Sequence, residues 1–66
     1  MKIYLNDTPH EVPEGINIDA LLHMFAIHTS NIAVEVNSQI VTKASYAETV
    51  LKSGDRIEIV TFVGGG

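Results

Sequence analysis

Three histidines, His10, His23 and His28, and three glycines closing the sequence, Gly64, Gly65 and Gly66, are the residues whose types invite a chemical reading. The histidines have no i, i+4 spacing and no neighbouring carboxylate and cysteine ligands, so they read as surface or boundary residues and no metal is expected. Cysteine is absent. That excludes a thiolate nucleophile, a thiolate metal site, a redox pair and a disulfide framework together. Serine, histidine and aspartate all occur, but no nucleophile elbow presents a serine, so no catalytic residue is expected. No glycine-rich turn opens a helix ahead of a Lys-Ser/Thr pair, so the chain should not bind ATP by itself. The acids Glu11, Glu14, Asp19, Glu35, Glu48, Asp55 and Glu58 are dispersed and read as a solvated face.

The glycines carry a different message. Without side chains they can lie extended in a channel too narrow for any other residue, reaching about 10 Å beyond a sheet. What such a tail delivers is its own end. The reactive group there is the carboxylate of Gly66, ionised at neutral pH and open to activation by a partner.

Several elements must hold that tail out. The last strand, "RIEIVTFV", alternates, with Ile57, Ile59, Thr61 and Val63 on one face and Arg56, Glu58, Val60 and Phe62 on the other. A helix covering only the first face leaves Val60 and Phe62 exposed beside the tail, as a docking patch. The one clear helix is "NIDALLHMFAI": Asn17 suits the N-cap, Asp19 the first turn, and Ile18, Leu21, Leu22 and Phe25 share a stripe. It should end near Ile27. "KIYLN" alternates as a half-buried strand, "ND" reads as a tight turn, and "TPHEV" is an extended segment that Pro9 assigns to a sheet edge. "IAVEV" and a short "QIVT" form a hairpin around Asn37-Ser38, a single helical turn is expected at Ala44 to Ala47, and "KSGD" should turn with Gly54 at positive φ. Strands on both sides of one helix make an α+β sheet with the helix across one face.

At 66 residues the chain is one small domain, read as 1–63 with a flexible tail at 64–66. The net charge of −4 arises without any basic cluster, which argues against nucleic acid as a partner and for a basic protein surface. No stretch is long enough to span a membrane, and no secretory leader opens the sequence, so a soluble, cytoplasmic protein is expected.

The stretches "MKIYLND", "EVNSQIV" and "GDRIEIVTFVGGG", with one capped helix between them and no cysteine, resemble the sulfur carrier proteins of the thiamine pathway, the ThiS family. The resemblance covers the whole chain and is strongest at the asparagine-containing turn of Val36 to Val41, at the "GD" before the last strand, and at Gly65-Gly66. It implies a ubiquitin-like β-grasp: a mixed sheet, one main helix and a flexible Gly-Gly tail. It also implies a protein co-substrate rather than an enzyme, with no cofactor of its own. An E1-like, ThiF-type enzyme would use ATP to adenylate Gly66, and sulfur from a persulfide, such as that of a cysteine desulfurase, would leave a thiocarboxylate. That thiocarboxylate would serve a ThiG-type thiazole synthase. Gly64 and Gly65 would enter the partner's active site, and Val60 and Phe62 would dock the body. Gly64 is a third glycine where the family pattern needs two. The small subunit of molybdopterin synthase, similar in fold and tail but longer between helix and last strand, is the competing resemblance. A β-grasp interaction module with no tail chemistry is the alternative from another class.

Overall fold

Two tight turns set the frame of the sheet. In the computed structural model, which describes residues 1–62, Asn6 and Asp7 take φ of +48° and +69°, and Asn37 and Ser38 take +51° and +71°. Left-handed backbone at both central positions is the type I′ arrangement, whose twist matches that of the flanking strands. Each turn therefore closes a hairpin: β1 (Lys2–Leu5) with β2 (Thr8–Glu11), and β3 (Ile32–Val36) with β4 (Gln39–Val41).

The final strand, β5 (Arg56–Thr61), enters between the hairpins and gives a five-stranded sheet in the order β2-β1-β5-β3-β4. It runs parallel to β1 and antiparallel to β3. Pro9 lies in β2, at the edge, where a missing amide proton is tolerated. This mixed sheet with a single α-helix is the β-grasp architecture.

The helix α1 (Ile18–Met24) crosses one face. Asn17 caps it, its side-chain oxygen accepting from the Ala20 N–H at 2.8 Å. It ends earlier than the expected Ile27, and the reason lies in the backbone. Ala26 adopts φ +55°, the Ile27 N–H donates to the Leu22 carbonyl at 2.8 Å and the Ala26 N–H to that of His23 at 3.1 Å. This pair of bonds is a Schellman closure, here built with alanine where glycine is usual.

Ile18, Leu21 and Leu22 of α1 meet Ile3, Leu5, Val34 and Ile57 of the sheet, and Val12, Ile16, Tyr46 and Leu51 from the connections complete the buried core. Each fully buried aliphatic side chain is worth roughly 1.5–3 kcal/mol, so a handful of them carries a domain of this size. The expected helical turn at Ala44 to Ala47 is a longer 3-10 segment, Lys43–Glu48, that buries Tyr46 in the core. The chain then returns past the helix start, with the Ile18 N–H bonded to the Thr49 carbonyl at 3.1 Å and the Leu51 N–H to that of Ile16 at 2.8 Å. Among the described residues, no helix is long and apolar enough to cross a membrane.

Candidate functional site

The candidate site is the strand that carries the tail, together with the sheet face it leaves open. β5 pairs with β3 over five positions, Ile57 to Thr61 against Val36 to Ile32, and the Phe62 N–H continues the ladder to the Asn31 carbonyl at 2.7 Å. On its other side β1 is short: it pairs only Tyr4 with Arg56 and Leu5 with Ile57.

Asn6 takes over where β1 stops. Its backbone N–H donates to the Ile57 carbonyl at 2.8 Å. Its side-chain oxygen accepts from the Ile59 N–H at 2.8 Å, and its Nδ2 donates to the Ile59 carbonyl at 3.3 Å. A side-chain amide thus stands in for one more peptide of β1. Few residues could do both jobs, because the position also needs left-handed backbone, which asparagine tolerates better than most.

Asn37, in the other type I′ turn, acts on the start of β5. Its Oδ1 accepts from the Arg56 N–H at 3.0 Å, its Nδ2 donates to Asp55 Oδ1 at 3.0 Å, and its own N–H donates to the Arg56 carbonyl at 2.8 Å. Asp55 is only 6% exposed. Its second oxygen accepts from the Lys52 N–H at 2.8 Å and closes the turn in which Gly54 sits at φ +87°. The asparagine turn and the "GD" pair, far apart in the sequence, are therefore one hydrogen-bonded unit. Each hairpin turn lends an asparagine to hold the strand that bears the tail.

Beyond these anchors the open face behaves as alternation requires. Val60 is 52% exposed and Phe62 54% exposed. No loop of the described chain covers them. Arg56, on the same face, lies 4.5 Å over the Tyr4 ring and 3.5 Å from the Asp7 carboxylate. Val63, Gly64, Gly65 and Gly66 lie outside the described residues.

The other sequence candidates are dispersed. His10 packs edge-on against Phe25 with ring centroids 4.7 Å apart, while His23 and His28 are exposed and separate. No group of histidines and carboxylates with metal-binding geometry occurs among the described residues. The described surface holds no cavity. Tyr46 has its phenol pushed up from the ordinary value, by burial first and by the charge of Asp19 second. It belongs to the core rather than to the site.

The ThiS family model matches residues 3–66, from the first strand through the last glycine. The chain belongs to the ThiS family. Its solved relative, the thiamine biosynthesis protein (ThiS) of Geobacter metallireducens, superposes with a TM-score of 0.87 at 29% identity, each chain covered in full. The sulfur carrier protein ThiS of Escherichia coli is 27% identical over the whole of both chains. A thiazole synthase of Magnetococcus marinus is 39% identical over 66 residues, all of this chain and 20% of that protein. The chain thus spans about a fifth of the length of that relative. At the level of family and fold the sequence reading stands: a ThiS-family chain on a ubiquitin-like β-grasp. Asn6 and Asn37, which brace β5, are the contributors to this candidate site that sequence reasoning missed. It assigned both to turns alone.

Proposed function

We propose that this ThiS-family chain is a protein co-substrate whose terminal glycine carries sulfur as a thiocarboxylate for thiazole formation. The observation that carries the reading is that the family match runs through Gly66, after a strand clamped by asparagine side chains at Arg56 and Ile59 beside an exposed apolar pair. In the first step a Gly66 carboxylate oxygen attacks the α-phosphate of ATP in an E1-like, ThiF-type partner, and pyrophosphate leaves. In the second, the terminal sulfur of a persulfide, such as one formed by a cysteine desulfurase, attacks the acyl carbon and AMP leaves. A thiol then cleaves the resulting acyl disulfide, taking up the donor's sulfur as a disulfide and releasing the thiocarboxylate. Adenylation replaces a poor leaving group by a good one, which divides a hard substitution into two easier steps.

The fold supports a division of labour between this chain and its partners. The carrier supplies recognition and reach, and the partners supply catalysis. Gly64 and Gly65 enter a partner's active-site channel, while Val60 and Phe62 dock the body beside it. The kinship with a protein named thiazole synthase supports that enzyme as the receiver of the sulfur, and the ThiS match favours the thiamine pathway over molybdenum cofactor synthesis.

The test is the intact mass of the protein before and after incubation with ATP, a persulfide donor and the adenylating enzyme. A gain equal to one oxygen replaced by sulfur, confined to the fragment ending in Gly66 and lost on deleting Gly65-Gly66, is the expected result. No gain with a demonstrably active partner moves the reading to an interaction module.

A further inference from the structure

The register of β3 against its neighbours places one row of side chains across the open face: Ile40 of β4, Glu35 of β3 and Glu58 of β5. Two carboxylates thus stand directly opposite each other, both half-buried, in a position where like charges destabilise a sheet. Among the described residues no lysine or arginine lies within ion-pairing distance of either. The nearest cation along the strand, Arg56, is turned the other way, onto Tyr4 and Asp7. The next row on the same face pairs Ala33 with Val60, and Phe62 follows beside Asn31. The apolar members of this half-face are strongly exposed, Ile40 at 74%, Val60 at 52% and Phe62 at 54%. The face therefore sets exposed apolar side chains, on β4 and along the end of β5, beside an uncompensated pair of carboxylates.

We infer that Glu35 and Glu58 together receive one cationic side chain of a docking protein, with Ile40, Val60 and Phe62 as flanking apolar contacts that exclude water beside it. A guanidinium fits best, since its planar fork can bond to both carboxylates at once, whereas an ammonium is a point charge. Removing water strengthens the attraction, and the like-charge opposition that burdens the free domain becomes binding energy in the complex. The occupant is a protein surface that presents an arginine among apolar side chains. Within the proposed function, on which this step rests, that surface belongs to thiazole synthase. A second copy of this chain is disfavoured on the same half-face, because stacking it there would gather four carboxylates.

The experiment titrates thiazole synthase with the full chain and with Glu35→Gln, Glu58→Gln and the double variant, by calorimetry at two salt concentrations, alongside thermal melting and solution mass. The double variant should weaken binding by about tenfold or more and flatten the salt dependence, the order expected for a lost charge-assisted contact. Its melting temperature should hold or rise, since the opposed charges are gone. Unchanged affinity overturns the inference, as does absence of binding by the unaltered chain. A lowered melting temperature overturns it too, by making the glutamates supports of the fold. So does a dimer of the unaltered chain that dissociates on Glu58→Gln, which would give the cation's place to Arg56 of a second copy. Sulfur loading of Gly66 by the adenylating enzyme does not involve thiazole synthase, so failure here and failure of the proposed function are separable.

Discussion

Replacing Asn6 separates the turn it makes from the clamp it forms. Asn6→Gly keeps a residue at ease with φ +48° but deletes the two side-chain bonds to Ile59, at 2.8 and 3.3 Å. A typical hydrogen bond contributes a net 0.5–1.5 kcal/mol or thereabouts, and these are exposed, so the pair should be worth about 1–2 kcal/mol. Asn6→Ala loses the same bonds and adds the steric cost of left-handed backbone, about 1–2 kcal/mol more. Urea unfolding measures both totals, and amide hydrogen exchange locates the loss. The Ile59 amide should exchange about tenfold faster in the glycine variant, since 1.4 kcal/mol corresponds to a factor of ten. A glycine variant as stable as the unaltered chain, with unchanged exchange at Ile59, would refute the clamp and leave Asn6 a turn residue only.

Ala26→Gly should stabilise the domain by about 0.4–1 kcal/mol, read from the urea midpoint, because the helix closes through left-handed backbone at φ +55° that glycine adopts without strain. For Tyr46, the unfolded phenol ionises at its ordinary value while the folded one resists, burial being the larger cause and Asp19 the lesser. The unfolded state therefore binds fewer protons in that window, and stability should be fully present below about pH 10 and fall as pH rises further. Tyr46→Phe should make that alkaline fall shallower in melting experiments run from neutral pH upward.

Much of this architecture was readable because its signals are local. Asn17 before an apolar stripe marks a helix start wherever it occurs, and Asn6-Asp7, Asn37-Ser38 and Gly54 announce turns by their tolerance of positive φ. The exposure of Val60 and Phe62 followed from strand alternation under a single helix, an argument that needs only the period of two. What escaped was long-range or against type. Asn6 reaches Ile59 across 53 positions and Asn37 reaches Asp55 across 18, and no periodicity encodes such pairings. Ala26 closes the helix without the glycine that would have marked the end. The opposition of Glu35 and Glu58 depends on the register of β3 against β5, which the sequence leaves open until the two hairpins and the last strand are aligned together. Read singly, each of those acids looks like an ordinary solvated side chain.

The pairing of β1 with β5 also bears on how the protein is made. Tyr4 and Arg56 are neighbours at the middle of the sheet although they lie far apart in the sequence. Ile57, wholly enclosed in the finished molecule, completes the core only when that last strand arrives. Until then β1 and β3 each present an unpaired edge, and folding waits on a contact of high sequence separation. A chain lacking β5 therefore has neither a closed core nor the surface of Val60 and Phe62, so the docking proposed for that surface would become available only after the body has assembled.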